Sequence, residues 1–381
     1  MIKIGIIGLS RRSGIITNFL PRNKAEIAAV ADLESEKLDA FTQCKFKTTD
    51  YRELLKRDEL DAVFIMTRDY EHEKICIDAL QAGKTVYLEK PMAITIEGCD
   101  RILKTAVQTK TGLFPGHNMR YMPVILKMKE LIDSGIIGNI QAVWCRHFVS
   151  YGSCYFRHWC SERKNSGGLL LQKGAHDIDV IHWLCGSYTA RVTGMGKLSV
   201  YNKTKKRKTN EKPDRELAFK NKCWPPLEET GFSPIIDIED HNMILMTLAN
   251  GIQCSYMQCF YTPDSERNYT FIGTAGRLEN IGDTGNCEIH VWTSRGSRQK
   301  PDKIYRLKKQ TGGHGGADPA IISDFIDFAA DNTVSKISPI AARNAVAVGV
   351  LGHLSARNGS VPRNIIQPEK NILKYFAFPR K

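Results

Sequence analysis

The stretch Thr85-Val86-Tyr87-Leu88-Glu89-Lys90-Pro91 joins a short apolar strand directly to two charged residues and a proline. A strand that is apolar on both faces is typical of a buried parallel sheet, and open α/β sheets bind ligands at the carboxyl ends of such strands. Burial there lowers the pKa of an ammonium, which makes Lys90 a candidate proton donor or acceptor near neutral pH. Pro91 fixes its own φ and forces a turn after the lysine. A lysine whose stem lies along a strand end is an equally good interpretation when this stretch is taken alone.

The pattern on both sides of this strand predicts two domains, at 1–120 and 121–381. Before residue 121, short apolar strands alternate with helical patterns, as expected for a parallel sheet with crossover helices. Strands are predicted at 3–7, 27–31, 62–66, 85–88 and 113–115, and helices at 34–42, 50–56, 72–82 and 96–109. The second part begins with a helix at 123–133, and its alternating strands are typical of an antiparallel sheet covered on one face. These strands are predicted at 140–149, 191–200, 242–247, 251–260 and 268–273, with helices at 177–184, 320–330 and 339–356.

Composition limits the class of protein. A chain of 381 residues is too long for one compact core. No apolar run is long enough to span a bilayer, so we expect no membrane partner. The 11 cysteines form no C-x-x-C pair and have no metal-type histidine spacing, which predicts reduced thiols, a cytoplasmic location and no metal site.

The formal charge of +13 raises the possibility of a nucleic-acid partner. Much of this charge lies in residues 201–222, which hold nine Lys or Arg residues and three acidic ones. The segment lacks interleaved aromatic residues for base stacking. We therefore favour a solvated insertion loop over a nucleic-acid-binding arm and predict no nucleic-acid partner.

The first strand leads into a glycine-rich loop, Gly5-Ile6-Ile7-Gly8-Leu9-Ser10-Arg11-Arg12-Ser13-Gly14. A dinucleotide fingerprint uses glycines for the turn and for close approach of the backbone to a pyrophosphate at a helix N-terminus. Gly8 suits the turn, but Ser10 occupies the next glycine position and the last glycine is displaced to Gly14. The loop alone is therefore a weak indication of a dinucleotide site.

Asp32, at the end of the second predicted strand, strengthens that indication. A carboxylate about twenty residues after the glycines accepts hydrogen bonds from the adenosine ribose hydroxyls. It also repels a 2′-phosphate, so NAD is favoured over NADP as the cofactor. Arg11 and Arg12 favour the opposite choice because either side chain is able to reach a phosphate; an exposed pair of loop arginines is the alternative.

A second cluster of chemistry-bearing residues lies in Gly174-Ala175-His176-Asp177-Ile178-Asp179. His176 and Asp179 are three residues apart and share one face of a helix. A carboxylate beside an imidazole can fix its tautomer and hold its proton. A buried structural histidine is the simpler interpretation of this cluster by itself.

Taken together, these residues resemble the glucose–fructose oxidoreductase / inositol dehydrogenase / rhizopine-catabolism (Gfo/Idh/MocA) family over nearly the whole chain. The shared features are Gly5–Gly8, Ala31-Asp32, His72, Glu89-Lys90-Pro91, Asn118-Met119-Arg120-Tyr121, Gly135–Gly138, Gly168 with Gly174-Ala175-His176 and Asp179, and 273–279. The resemblance implies an α/β fold with an N-terminal Rossmann dinucleotide-binding domain and a C-terminal α/β domain with a large, mainly antiparallel open sheet. It also implies that the last helix packs back toward the first domain and that the sheet's outer face builds a homodimer or homotetramer.

The resemblance further implies hydride transfer between nicotinamide and a carbon of a sugar or cyclitol. Lys90 and His176 would bracket the reacting hydroxyl, with His176 as general base and Asp179 behind it. The expected cofactor contacts are Gly8, Ser10, Arg11, Arg12, Asp32, Thr67, His72, Glu89 and Lys90. The expected substrate contacts are Asn118, Arg120, Tyr155, Arg157, Trp159, Gln172, Lys173, His176 and His314.

Two departures from the family pattern leave other reactions open. Gln172 stands where the family usually has an aspartate four residues before the histidine, and Lys173 follows it. The segment His314-Gly315-Gly316 is shared with NAD-dependent glycosidases, which oxidise a sugar transiently, eliminate the aglycone and reverse the steps. A glycosidase of this type and a non-catalytic sensor of NAD and sugar are therefore the alternatives to a dehydrogenase.

Overall fold

The computed structural model describes residues 1–42, 44–214, 216–220, 225–296, 300–331, 335 and 337–377. They form two compact units. The first consists of Met1–Met122, Thr311–Val346 and Gln367–Lys381, and the second of Pro123–Gln310 and Ala347–Ile366. The first unit thus combines the N-terminal part of the chain with two later segments.

The first unit contains a six-stranded parallel sheet in the order β3-β2-β1-β4-β5-β6. This is the strand order of a Rossmann fold, and it confirms the predicted parallel sheet. The strands are β1 (Ile2–Ile7), β2 (Ala25–Ala31), β3 (Phe46–Thr48), β4 (Ala62–Ile65), β5 (Thr85–Leu88) and β6 (Leu113–Pro115). The crossover helices are α1 (Gly14–Phe19), α2 (Ser35–Ala40), α3 (Tyr51–Leu55), α4 (His72–Gln81) and α5 (Ile96–Thr109).

The second unit contains a nine-stranded sheet, β16-β15-β14-β13-β7-β12-β11-β8-β17, in which only the β7–β12 pair is parallel. This confirms a large, mainly antiparallel sheet. Its strands are β7 (Ile140–Phe148), β8 (Thr189–Lys197), β11 (His241–Leu248), β12 (Gln253–Cys259), β13 (Glu266–Gly273), β14 (Arg277–Ile281), β15 (Cys287–Trp292), β16 (Lys303–Leu307) and β17 (Arg363–Asn364). A separate two-stranded sheet pairs β9 (Lys205–Lys206) with β10 (Thr230–Phe232).

Further helices follow along the chain. They are α6 (Pro123–Asp133), α7 (Arg163–Ser166), α8 (Leu169–Gln172), α9 (Gly174–Cys185), α10 (Leu217–Lys220), α11 (Gly313–Asp331), α12 (Pro339–Arg357) and α13 (Lys370–Ala377). The backbone of α11 is not helical at 314–316, where His314 has a φ of 49°. Within the described residues, no helix is long and apolar enough to cross a membrane.

The basic segment 201–222 belongs partly to the small two-stranded sheet. Arg207 donates its backbone N–H to the Phe232 carbonyl over 2.8 Å, next to the pairing of Lys206 with Phe232. Arg215 and 221–224, which include Lys222, lie outside the described residues.

Candidate functional site

The turn after β1 requires a glycine at position 8. Gly8 has a φ of +93°, and a Cβ there would lie 2.9 Å from the backbone of Met66 and Thr67. Such a φ is unfavourable for other residues. The absent side chain therefore lets the turn after β1 pass directly against the segment that follows β4.

Asp32 is fixed beside this turn by backbone hydrogen bonds. The Leu9 N–H donates to Asp32 Oδ2 over 2.6 Å, and the Glu34 N–H donates to Oδ1 over 2.9 Å. Lys37 Nζ lies 3.6 Å from Oδ1. A carboxylate held in this way at the end of β2 has the position expected of a ribose acceptor.

Arg12 is held by two carboxylates of the first unit. Its Nε lies 3.3 Å from Glu89 Oε1, and its Nη1 lies 2.9 Å from Asp318 Oδ1. Burial opposes the charge, but these carboxylates raise the pKa of Arg12 above its usual value. The guanidinium is thus engaged with protein groups. Ser10 and Arg11 are exposed.

Asp318 joins residues that were predicted to have separate roles. Asn118 Nδ2 donates to Asp318 Oδ1 over 2.9 Å, and His314 Nδ1 lies 3.1 Å from Oδ2. His314 Nδ1 also lies 3.3 Å from Arg12 Nη1. Asn118 and His314 were predicted as substrate contacts and Arg12 as a cofactor contact, but all three surround Asp318. The sequence analysis did not identify Asp318 as a site residue.

The segments after β4 and β5 are joined by His72. Its Nδ1 lies 2.7 Å from the Pro91 carbonyl and its Nε2 3.3 Å from the Thr67 carbonyl. Burial lowers the pKa of this imidazole. His72 therefore connects the segment after β4 to the segment after β5, and Lys90 lies on the second of these segments. Arg120, from the turn after β6, is buried.

Thr67 and Gly8 test whether this region fits a dinucleotide. Thr67 Oγ1 is buried and has no hydrogen-bond partner among the described residues. It lies on the segment that Gly8 allows to come close. An orphaned hydroxyl, a glycine turn and an oriented carboxylate at Asp32 together provide the donors and acceptors that a dinucleotide uses, so the residues present fit the cofactor.

In the second unit, Lys173 and Tyr155 lie close together. Lys173 Nζ is 5.5 Å from the centre of the Tyr155 ring, within the range of a cation–π interaction. Tyr155 belongs to an apolar cluster that includes Phe260 and is flanked by Trp159. Gln172, half-buried, is the last residue of α8 and directly precedes Lys173.

Arg157 is fully buried, and its guanidinium binds protein groups. Its Nη2 lies 2.7 Å from Glu229 Oε2, and its Nη1 donates to the Thr230 carbonyl. The guanidinium also lies over the Phe232 ring, 4.5 Å from the centroid. In this geometry Arg157 anchors β10 of the small sheet, and nothing in the described contacts points it toward a substrate.

His176 and Asp179 are buried in the first turns of α9, which begins at Gly174 and not at the predicted position 177. Asp177, between these two residues in the sequence, connects the start of α9 to strands β12 and β13 through hydrogen bonds. It accepts hydrogen bonds from Arg267 Nε at 2.9 Å and Tyr256 OH at 3.0 Å, and also from Tyr269 OH. The residue next to the predicted general base is thus held by a buried charge network.

Within the described residues, no group of three or more His, Cys, Asp or Glu side chains is placed to hold a metal ion.

Comparisons with known proteins agree with both parts of the fold. Residues 2–117 match the model of an oxidoreductase family's NAD-binding Rossmann fold, and residues 129–364 match the model of that family's C-terminal alpha/beta domain.

Individual relatives include dehydrogenases. YteT of Bacillus subtilis, which is named as an oxidoreductase, is 26% identical over 323 residues, covering 74% of this chain and 75% of YteT. An inositol 2-dehydrogenase/D-chiro-inositol 3-dehydrogenase of Lacticaseibacillus casei is 31% identical over 193 residues, 48% of this chain and 53% of that protein. A levoglucosan dehydrogenase solved with NADH and levoglucosan is 17% identical, with a TM-score of 0.78 over 96% of this chain and 100% of that chain. At this identity the last match shows the fold alone.

Proposed function

We propose, because this chain belongs to the Gfo/Idh/MocA family of oxidoreductases, that it transfers a hydride between NAD and a carbon of a sugar or cyclitol. The observation that carries the proposal is Lys90, which follows the buried parallel strand β5 on a segment that His72 fixes from α4. The inositol dehydrogenase among the relatives supports a polyol as the substrate class.

Bound NAD would supply the hydride acceptor or donor. Asp32 would accept hydrogen bonds from the adenosine ribose, since its oxygens are already oriented by two backbone N–H groups. Gly8 and Thr67 would line the path of the dinucleotide, and a carboxylate at position 32 disfavours the 2′-phosphate of NADP. Because Arg12 already binds Glu89 and Asp318, it is poorly placed to bind the 2′-phosphate of NADP and so offset the repulsion by Asp32.

Replacing Asp32 by alanine should weaken NAD binding by about tenfold or more, because charge-assisted hydrogen bonds to the ribose are lost. Discrimination against NADP should fall in the same variant. Calorimetric titration of both dinucleotides measures the two effects, and Asp39→Ala, an exposed residue of α2, is the matched control. Tighter binding of NADP than of NAD by the unmutated protein would contradict the cofactor assignment.

The residues proposed for the reaction have distinct tasks. Lys90 would bind and orient the reacting hydroxyl, and His176 would accept its proton in the direction of oxidation. Asp179, one turn along α9, would stabilise the charged imidazole. Lys173, close to Tyr155, would contact a polar substituent of the substrate, and Trp159 and Gln172 are proposed as further contacts.

A redox-neutral glycosidase is the second candidate. It is favoured by Gln172 and by the segment His314-Gly315-Gly316, whose three residues all have positive φ. Such an enzyme returns its hydride in each turnover. Incubation with a panel of sugars, cyclitols and aryl glycosides distinguishes the two, because only net oxidation accumulates NADH. Aglycone release without NADH would overturn the dehydrogenase in favour of the glycosidase.

Assembly and location remain predictions. The nine-stranded sheet exposes Trp144, Met195, Met243, Leu245 and Met257, and Met243 lies opposite both Met195 and Met257 in the register. We propose that a second copy of the chain covers this apolar face in a homodimer or homotetramer. Analytical ultracentrifugation tests this, and a monomer in solution would contradict it. We also propose a cytoplasmic location, because the 11 cysteines of the sequence form no C-x-x-C pair and have no metal-type histidine spacing, and localisation of a tagged protein would test it.

A further inference from the structure

Asp69 is a buried carboxyl group that has no evident structural task. It opens the short helical turn 69–71 between β4 and α4 and is only 4% exposed. Its Oδ2 is buried and has no hydrogen-bond donor among the described residues. Buried carboxyl oxygens are nearly always hydrogen-bonded in proteins, so this group needs an explanation.

The fold brings Asp69 close to Lys90. β4 and β5 are neighbours with Ile65 opposite Leu88, and Asp69 and Lys90 follow these two positions within four residues. His72 bridges the two segments through the Thr67 and Pro91 carbonyls. The charged groups that act on Asp69 are Lys90 and Glu89 from the segment after β5. The titratable residues beside it in the chain are Arg68, Tyr70, Glu71 and His72.

The electrostatics of this position disfavour a charge on Asp69. Burial raises the pKa of the carboxyl from 3.8 to about 8, with Lys90 lowering it and Glu89 raising it further. Because the pKa is higher in the folded than in the unfolded protein, Asp69 reduces stability as pH rises from about 4 to about 8. Strongly shifted pKa values of buried groups cluster at functional sites.

We propose that Asp69 is a positioning residue for the proposed hydride transfer, acting on Lys90 through its charge. The inference rests on the proposed function, since it assigns Lys90 to the reacting hydroxyl. As a carboxylate, Asp69 favours the ammonium form of Lys90, the form that donates a hydrogen bond to the substrate oxygen. As a neutral carboxyl it no longer does so. Lys90 thus stays an ammonium to higher pH than it would without Asp69.

The test compares the unmutated protein with Asp69→Asn, which keeps the shape and polarity of the side chain but does not titrate. Asp58→Asn, at an exposed position after α3, is the matched control. In the unliganded proteins, an amine-modifying reagent followed by peptide mass spectrometry gives the pH midpoint of Lys90 labelling. The melting temperature of each protein, measured between pH 4 and pH 9, independently reports the protonation of the buried Asp69 carboxyl.

We expect Asp69→Asn to move the Lys90 labelling midpoint to lower pH and to gain stability relative to the unmutated protein as pH rises. On a substrate, the alkaline limb of kcat/KM should also move to lower pH, with a loss of about tenfold on that limb for each pH unit by which the pKa of Lys90 falls. An unchanged labelling midpoint or an unchanged pH profile would overturn the proposal, as would failure of Asp69→Asn to fold. If the unmutated protein oxidises no substrate, the proposed function fails, and the labelling midpoint alone decides whether Asp69 acts on Lys90.

Discussion

Replacing Lys90 by alanine should lower kcat for the proposed oxidation by a factor on the order of 10² or more, because a positioned acid–base group is lost. The effect on KM should be smaller, since Lys90 acts chiefly when the hydroxyl oxygen gains negative charge. Steady-state kinetics of NADH formation measures both parameters. Lys104→Ala, on the exposed face of α5, is the control and should leave both unchanged.

Circular dichroism and NAD affinity of the Lys90→Ala variant separate a catalytic from a structural effect. We expect the Lys90→Ala protein to fold, to retain NAD binding and to lose turnover. A folded Lys90→Ala variant with normal turnover would show that Lys90 is only a lysine at a strand end.

Replacing Asp177 by asparagine should destabilise the second unit by about 3–5 kcal/mol, because the buried guanidinium of Arg267 then loses its principal charged partner. Arg267 Nε lies 2.9 Å from Asp177 Oδ1, and Asp177 is fully buried. Urea denaturation followed by tryptophan fluorescence measures the loss. Asp264→Asn, at an exposed position, should change stability little.

Two further measurements connect this loss to the Asp177–Arg267 pair. Asp177→Asn combined with Arg267→Gln should recover part of the lost stability, because the Arg267 guanidinium is no longer left without Asp177; the recovery is incomplete because Asp283 then loses its ion pair with Arg267 Nη1. Burial would raise the pKa of Asp177, but Arg267 and His147 lower it below its usual range. The pair's contribution is therefore complete above about pH 4 and decreases as pH falls toward the folded-state pKa. Equal stability of Asp177→Asn and the unmutated protein at pH 7 would contradict this account.

Much of the first sheet was predictable because its signals are local. The strands β1, β2, β4, β5 and β6 were recognised within two residues of their ends, since each is a short apolar run between helical patterns. β3 was missed because its three residues, Phe46–Thr48, are only half-buried and have no apolar pattern. The parallel pairing of β7 with β12 was not predicted either, because pairing across more than a hundred residues depends on tertiary contacts.

The candidate site was predicted unevenly for the same reason. Lys90, Asp32 and His176 lie in recognisable local motifs. Asp318 was missed because its partner Arg12 is 306 residues away, and Asp177 because its partner Arg267 is 90 residues away. Asp69 was missed because only burial distinguishes it from an exposed loop aspartate. Ion pairs and burial of this kind are consequences of the fold and leave no pattern in nearby sequence.

The ratio of NADH formed to product formed tests the central claim most directly. With a substrate from the sugar and cyclitol panel, absorbance at the NADH maximum and chromatography of the oxidised product give this ratio, and Lys90→Ala is the control for background reduction. We expect one NADH for each product molecule with the unmutated protein, and almost no NADH or product with the Lys90→Ala variant. Product formed with a catalytic amount of NAD and without accumulation of NADH would contradict it.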